Sequence, residues 1–405
     1  MILNFKVENY LSILDLQEID FTTNKIFNSS TAELKNNLLI NKINCMVGAN
    51  GSGKTKLLNA MCFILWLMEQ SYYKGNIKTI LPLSTHKLAQ NKPTKLELIF
   101  EQNNKIFKIQ FEIFENVILK EKLSIKATNK FSRVYEATRQ ADKFSVIFSE
   151  HFPAISKKSR DEFAPRKNAS FFSFLLGLGL LSKIGIEHLS FKCNFNYIAG
   201  IDIVPHIINA FNLSEFLIEN KNLQRQILKY LKAFDFGIQG ISQKTKKAEI
   251  VAVNGNIENK MQQDLLIFTH GNNEHNFDIL ITDESEGTIK ALDLLCRFLS
   301  VFNTGCVVII DEIESSIHSD LVEVLIEMFA DHKLNQRNAQ LIFSTHQPLF
   351  LKDRDKSQIF IVEKENKINT EIYRLDEIEG VRNDENFYTK YLAGRYGGKP
   401  NIKGI

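Results

Sequence analysis

Hydrophobic and polar positions divide the chain into regions of different period. Residues 1–8 alternate like a strand, and residues 1 to about 47 read as two or three strands, with Asn9-Tyr10-Leu11-Ser12 lying between two of them. The apolar run Ile43–Val47 is followed by Leu57, Leu58, Met61, Leu65 and Met68 at helical spacing. Between 94 and 125 the period is two. Leu96, Leu98 and Phe100 face one way, and past an Asn103-Asn104 turn so do Phe107, Ile109, Phe111 and Ile113. With a third strand over 117–125, this predicts an antiparallel meander with one solvated face. From about 126 to 235 the pattern predicts helices, interrupted by Pro153, Pro165 and Pro205. Residues 171–186 read as one buried helix, and Ile227, Leu228, Leu231 and Phe234 form the best amphipathic stripe. No heptad repeat is sustained, which excludes a long coiled-coil arm. Strands are expected again from 248, at 250–253 and 265–269. A helix follows, marked by Ile289, Leu292, Leu295 and Leu299, and then two apolar strands, 307–310 and 341–345.

Composition changes this picture little. The 405 residues are 44% apolar and 24% charged, as expected of a globular chain with a large core. A net charge of +3 does not by itself imply nucleic acid. Two local clusters could meet a phosphate backbone or simply be solvated: Lys157, Lys158, Arg160, Arg166 and Lys167, then Lys244, Lys246 and Lys247. Cys45, Cys62, Cys193, Cys296 and Cys306 are scattered without metal-ligand spacing, the pattern of reduced thiols in a cytoplasmic protein. The first residues lack a signal-peptide layout, and 171–186 is too short to span a bilayer, so no membrane partner is expected.

The chemistry centres on Gly48-Ala49-Asn50-Gly51-Ser52-Gly53-Lys54-Thr55, which fits G-x-x-x-x-G-K-[ST] between a strand and a helix. The glycines allow a tight loop whose N–H groups surround phosphates at a helix N-terminus, so Asn50, Gly51, Ser52 and Gly53 are candidate nucleotide contacts. Lys54 is expected to reach the β- and γ-phosphates, and Thr55 to hold Mg²⁺. Much later, Val307-Val308-Ile309-Ile310-Asp311-Glu312 is an apolar strand ending in two acids, the Walker B pattern. Asp311 is suited to the metal and Glu312 to activating water. Glu284-Ser285-Glu286-Gly287-Thr288 opens a helix whose Ser285 and Gly287 offer an anion site, one expected to serve a partner subunit. Leu341-Ile342-Phe343-Ser344-Thr345-His346 ends a strand on a histidine.

This order of motifs resembles the ABC-type ATPases. Asn9-Tyr10-Leu11-Ser12 is similar to the opening of the SMC, RecF and OLD-like branch, with Leu11 where that opening carries arginine. Glu284 to Thr288 and Ser344-Thr345-His346-Gln347-Pro348 resemble the AbiL/RloA-like and PARIS-type ATPases of anti-phage and abortive-infection systems. Arg166-Lys167-Asn168-Ala169, Asp235-Phe236-Gly237-Ile238 and Gly394-Arg395-Tyr396-Gly397 are further echoes. The resemblance implies an α/β ABC-ATPase head: a mixed sheet with a P-loop core, an antiparallel β subdomain and a helical insertion. The expected divisions are a first lobe (1–125), an insertion (126–247), a second lobe with signature, Walker B and H-loop (248–375), and a tail (376–405). It implies ATP and Mg²⁺, and a homodimer or larger even-numbered assembly closing on two ATP molecules. In that assembly Lys54, Thr55, Asp311 and Glu312 of one subunit meet Ser285 and Gly287 of another. His346 contacts the γ-phosphate, and Ser315, Ser316 and His318 lie in the D-loop. Gln90 and Gln102 are the Q-loop candidates.

Three functions follow from the resemblance. The first is an ATP-driven switch in bacterial defence, triggered by nucleic acid or a phage protein and controlling a separate effector, a nuclease or toxin. The second is a RecF-like DNA-repair ATPase. The third is an OLD-like nuclease, for which Asp353-Arg354-Asp355 supplies a superficial Asp-x-Asp. About fifty residues follow it, too few for the metal-binding domain of that class.

Overall fold

A computed structural model describes residues 1–26, 28–140, 143–150, 152–153, 155–187, 189, 210–251, 257–272, 274–366 and 368–400. The chain forms two compact units, one of Met1–Val204, Thr304–Ile313 and Ile326–Ile405, the other of Pro205–Asn303 and Glu314–Leu325.

The first unit is built on a five-stranded sheet. Its strand order is Val307–Ile310, Gln340–Thr345, Ile43–Val47, Ile359–Glu365 and Asn369–Arg374. The first four are parallel and the last is antiparallel. Full burial explains why the first three strands are mainly apolar and do not alternate with polar positions. The strand ending in His346 therefore lies between the P-loop strand and the one ending in Asp311. From the P-loop strand the chain enters the Lys54–Glu69 helix, which is buried continuously from Leu57 to Met68 rather than on one stripe. It packs against Val307–Ile310 on the one hand and Ile2–Glu8 and Thr94–Gln102 on the other. Its methionines, leucines and Phe63 join a core that includes Met46, Ile309, Phe5, Leu98 and Phe107.

Ile2–Glu8 and Thr94–Gln102 belong to a seven-stranded antiparallel sheet. The expected meander is its centre, but the sheet continues where helices were expected: Lys130–Gln140 and Lys143–Phe148 are its outer strands. The reason is a period of two. Phe144, Val146 and Phe148 turn toward the core while Lys143, Ser145 and Ile147 face solvent. Phe144 meets Phe163 at 5.2 Å and Phe171 at 5.5 Å between ring centres. The single helix expected over 171–186 is two pieces, Phe171–Gly177 and the 3-10 turn Leu180–Ile184, broken where Gly179 takes a φ of 69°.

Two arginines organise the loops around this aromatic core. Arg166 donates to the carbonyls of Ser71, Tyr72 and Gly75 and stacks over Tyr72, while Asn168 donates to the carbonyls of Asn76 and Thr79. The Arg166-Lys167-Asn168-Ala169 motif thus pins the 71–79 loop, and Arg166 is committed inward rather than to a surface charge cluster. Arg139 donates to the carbonyls of Ala164 and Arg166 and lies over Phe144 and Phe163. Burial holds its guanidinium down, to about 10.

The second unit carries Ile238–Val251, Ile257–Gly271 and Asn276–Leu280 as an antiparallel sheet, so strands resume ten residues earlier than expected. Val253 and Cys193 lie outside the described residues, as does Pro205. The strands pack with the helices Ala210–Glu219 and Lys221–Ala233, the latter burying Ile227 and Leu231 of the expected stripe. Glu286–Phe302 is the third helix, with a buried Asp293–Arg297 ion pair at 2.6 Å. Cys45, Cys62, Cys296 and Cys306 are buried. No helix among the described residues is long and apolar enough to cross a membrane.

Candidate active site

The P-loop emerges from its parallel strand with a backbone that only glycine tolerates at two points. Gly51 and Gly53 have φ of 74° and 114°, and a Cβ on Gly53 would fall 2.2 Å from Thr370 Oγ1. At Gly48 a Cβ would lie 2.1 Å from the Val362 carbonyl oxygen, so the loop starts pressed against the neighbouring strand. Asn50 and Gly51 form the exposed crest. Ser52 is buried, and its Oγ has no hydrogen-bond partner in the structure. An orphaned buried hydroxyl is uncommon, and here it sits in a loop whose glycines leave room for a ligand; a phosphate oxygen would satisfy it. Lys54 is buried, with Nζ donating to the carbonyls of Gly48 at 2.8 Å and Ala49 at 3.1 Å.

Four residues far apart in sequence converge on this loop within the same unit. Thr55 Oγ1 donates to Asp311 Oδ2 at 2.8 Å. Ser344 Oγ donates to the other oxygen, Asp311 Oδ1, and accepts from the Glu312 N–H at 2.8 Å. Glu312 itself has a φ of 48°, an uncommon conformation that turns the chain sharply after the strand and leaves its side chain half exposed. His346 bridges the two ends of the site: Nδ1 lies 3.3 Å from Lys54 Nζ, and Nε2 lies 3.2 Å from Glu312 Oε1. An ammonium can only donate, so Nδ1 accepts and Nε2 carries the proton that it donates to Glu312. A hydroxyl and a carboxylate side by side are the hard oxygen donors that Mg²⁺ takes alongside substrate phosphates, so Thr55 and Asp311 fit that ion. Among the described residues there is no cluster of three or more acidic, histidine or cysteine ligands that would build a metal cage without a phosphate.

Ser344 and Thr370 are contributors that residue-level reading did not single out. Thr370 Oγ1 lies 3.0 Å from the Ser52 carbonyl and 2.9 Å from Ser12 Oγ, and its N–H donates to the Ser12 carbonyl. The Asn9-Tyr10-Leu11-Ser12 segment is thereby tied to the P-loop. Asn9 is its buried anchor, donating to the Ala89 and Lys92 carbonyls and accepting from the His86 N–H. Ser344 was legible as part of a strand–Thr–His motif. Thr370 carries no local signal, being a threonine in a strand.

The remaining candidates lie elsewhere. Ser285 and Gly287 belong to the second unit. Ser285 caps the Glu286–Phe302 helix by accepting from the Thr288 N–H at 3.1 Å, and Gly287 faces the Ser316 carbonyl at the distance where a Cβ would be tight, 3.0 Å. The two flanking acids are tied back: Glu284 to His270 Nε2 at 2.6 Å and Glu286 to Ser316 Oγ at 2.7 Å. His318 is exposed. Gln102 lines a cleft of about 540 Å³ with Met1, Glu101 and Arg337, while Gln90 is exposed in the loop anchored by Asn9. Asp353 is exposed, Arg354 is buried on Glu327 at 2.6 Å, and Asp355 caps the Lys356–Gln358 turn. The Asp-x-Asp thus serves a turn and an ion pair.

With this geometry in place, comparison with known proteins is informative at the level of family. The family described as "AAA domain, putative AbiEii toxin, Type IV TA system" matches residues 43–352, from the P-loop strand past the His346 loop. A crystal structure of the Smc head domain with a coiled coil and joint, derived from Pyrococcus yayanosii, aligns with a TM-score of 0.41 at 10% identity, covering 97% of this chain and 99% of that one. No curated protein matches the chain.

Proposed function

We propose, for a chain that belongs to this AAA-domain family, an ATP-hydrolysing switch that closes as a head-to-tail pair and governs a separate effector. Nucleotide hydrolysis is the common property of such ATPase domains, and one observation carries the reading here. Asp311, Glu312 and His346, from the ends of two parallel strands beside the P-loop strand, gather on its Lys54 and Thr55.

Each side chain has a task that its position supports. The P-loop amides, with Ser52 Oγ, bind the phosphates, and Lys54 Nζ offsets charge on the bridging and γ-oxygens as the bond to the leaving ADP breaks. Glu312 accepts a proton from the water that attacks the γ-phosphorus. His346, donating from Nε2, holds that carboxylate in line while its other nitrogen faces Lys54. Mg²⁺, held by Thr55 and through water by Asp311, would screen the phosphate charge. Ser285 and Gly287 of a second copy cap the same γ-phosphate from a helix N-terminus, which couples ATP binding to pairing. The tied-back Glu284 and Glu286 keep two negative charges from competing for that anion site.

The family description names a toxin class, and this supports placing the switch in a bacterial defence system, with nucleic acid or a phage protein as trigger and a nuclease or toxin as effector. The test is native mass and co-purification of the chain expressed with its genomic neighbours, with ATP and with Glu312→Gln. The expected result is an ATP-dependent even-numbered assembly carrying one neighbour. A homodimer that ignores every neighbour and captures duplex DNA on ATP addition would overturn the defence reading in favour of a repair ATPase.

A further inference from the structure

The chain's last described residues form a turn that the proposed chemistry does not use, yet they lie against the first residue of the P-loop. Tyr391, in the Phe387–Leu392 helix, and Tyr396, after it, are buried, and the backbone doubles back through Gly397 and Gly398, both at positive φ, 76° and 65°. Neither has room for a side chain. A Cβ on Gly397 would fall 2.5 Å from Tyr373 Oη and 2.8 Å from Glu363 Oε2, and one on Gly398 would fall 2.7 Å from Ile361 Cγ2 and 3.6 Å from Gly48 Cα. Four polar contacts hold the turn there. The Gly398 N–H donates to Glu363 Oε2 at 2.9 Å, and Tyr391 Oη donates to the Gly398 carbonyl at 2.9 Å. Tyr373 Oη sits 3.1 Å from Glu363 Oε1 and 2.9 Å from the Tyr396 carbonyl. Glu363, Val362 and Ile361 are consecutive on one strand, and Val362 is the residue whose carbonyl presses on Gly48. Gly48 thus has the Val362 carbonyl pressed on it and Gly398 as a near neighbour, and it is the Gly48 carbonyl that accepts from Lys54 Nζ.

We propose that Gly397 and Gly398, held by Glu363 and Tyr391, are positioning residues for nucleotide binding. They form a clasp that fixes Gly48, and through its carbonyl Lys54, in the arrangement that receives phosphate. The inference rests on the P-loop being the ATP site. It gives the tail's tyrosine–glycine segment a task beyond core packing. Removing the clasp frees the start of the loop, and the ordering that ATP binding then requires weakens affinity.

Gly394 provides the control. Its φ of 76° imposes the same backbone strain on a substituent, yet nothing lies within 4 Å of the position a Cβ would take. Gly398→Ala and Gly394→Ala in the full chain should both lower the thermal midpoint. Only Gly398→Ala should weaken binding of a fluorescent ATP analogue, by about tenfold or more. Tyr391→Phe removes one hydroxyl and no packing, and should weaken binding about threefold with the fold intact, so the idea stays testable if Gly398→Ala does not fold. Equal affinity in wild type and Tyr391→Phe, or equal loss in Gly394→Ala and Gly398→Ala, would overturn the clasp. A wild-type chain that binds no analogue would instead overturn the assignment of the ATP site, and the clasp with it.

Discussion

Thr55 Oγ1 donates to Asp311 Oδ2 at 2.8 Å although 256 residues separate them. The bond places the hydroxyl that follows the P-loop lysine against the acid that ends a strand two places away in the sheet. The Asp311 side chain is shared between Thr55 and Ser344, so its orientation is set before any ligand arrives. Preorganisation of this kind is what lets a site act on charge that develops only during reaction.

Asp311→Asn keeps the shape of this arrangement and removes the charge. Phosphate release should fall by about 100-fold or more, while binding of a fluorescent ATP analogue without added Mg²⁺ stays near wild type. Hydrolysis at the wild-type rate would remove Asp311 from the metal site.

Ser344→Ala deletes a buried hydroxyl that donates to Asp311 and accepts from the Glu312 N–H. The stranded partners should cost about 1–3 kcal/mol in denaturant unfolding. The turnover number should drop with little change in KM, because what is lost is the alignment of Asp311 and Glu312 rather than phosphate contact.

Ser285→Arg fills the anion site at the start of the Glu286–Phe302 helix. ATP binding to the single chain should be unchanged, while the ATP-dependent doubling of native mass should disappear. A variant that still pairs on ATP would overturn the proposed capping by Ser285.

Glu121 gives a pH signature unrelated to catalysis. Its carboxylate is buried and accepts from Tyr135 Oη at 2.6 Å and from the N–H groups of Phe171 and Phe172 at 2.8 and 2.6 Å. Burial outweighs these bonds and raises its pKa. A carboxyl whose folded pKa lies above its unfolded one binds more protons in the folded state, so its contribution to stability falls as pH rises from about 4.5 through the raised value. The unfolding free energy of wild type relative to Glu121→Gln should therefore decline as pH rises above the ordinary carboxylate range. A flat difference would mean that the three hydrogen bonds hold the group at its ordinary pKa.

How much of this could be read from the chain differs by element. The meander is legible because Leu96–Phe100 and Phe107–Ile113 alternate strictly, whereas the pattern over Lys130–Phe148 predicts helix. Its alternation is broken at Arg133–Tyr135 by an irregular register. The 171–186 run was hydrophobic enough for one helix, and a left-handed Gly179 ended it. Thr370 and the tail glycines were invisible as parts of the site, because nothing near them in sequence marks what they touch.

The sequence by itself determined the phosphate loop and the acidic strand end. Both are local patterns: a run of eight residues fixes backbone conformation and donor placement, and an apolar strand must be buried with its polar end at the sheet's edge. Only the tertiary structure decided what surrounds them. Ser344 between the two acids, His346 between Lys54 and Glu312, Thr370 beneath Ser52 and Gly398 on Glu363 are contacts between segments tens to hundreds of residues apart. Such contacts depend on strand order and register, which bring distant side chains within hydrogen-bond reach only after the sheet has formed.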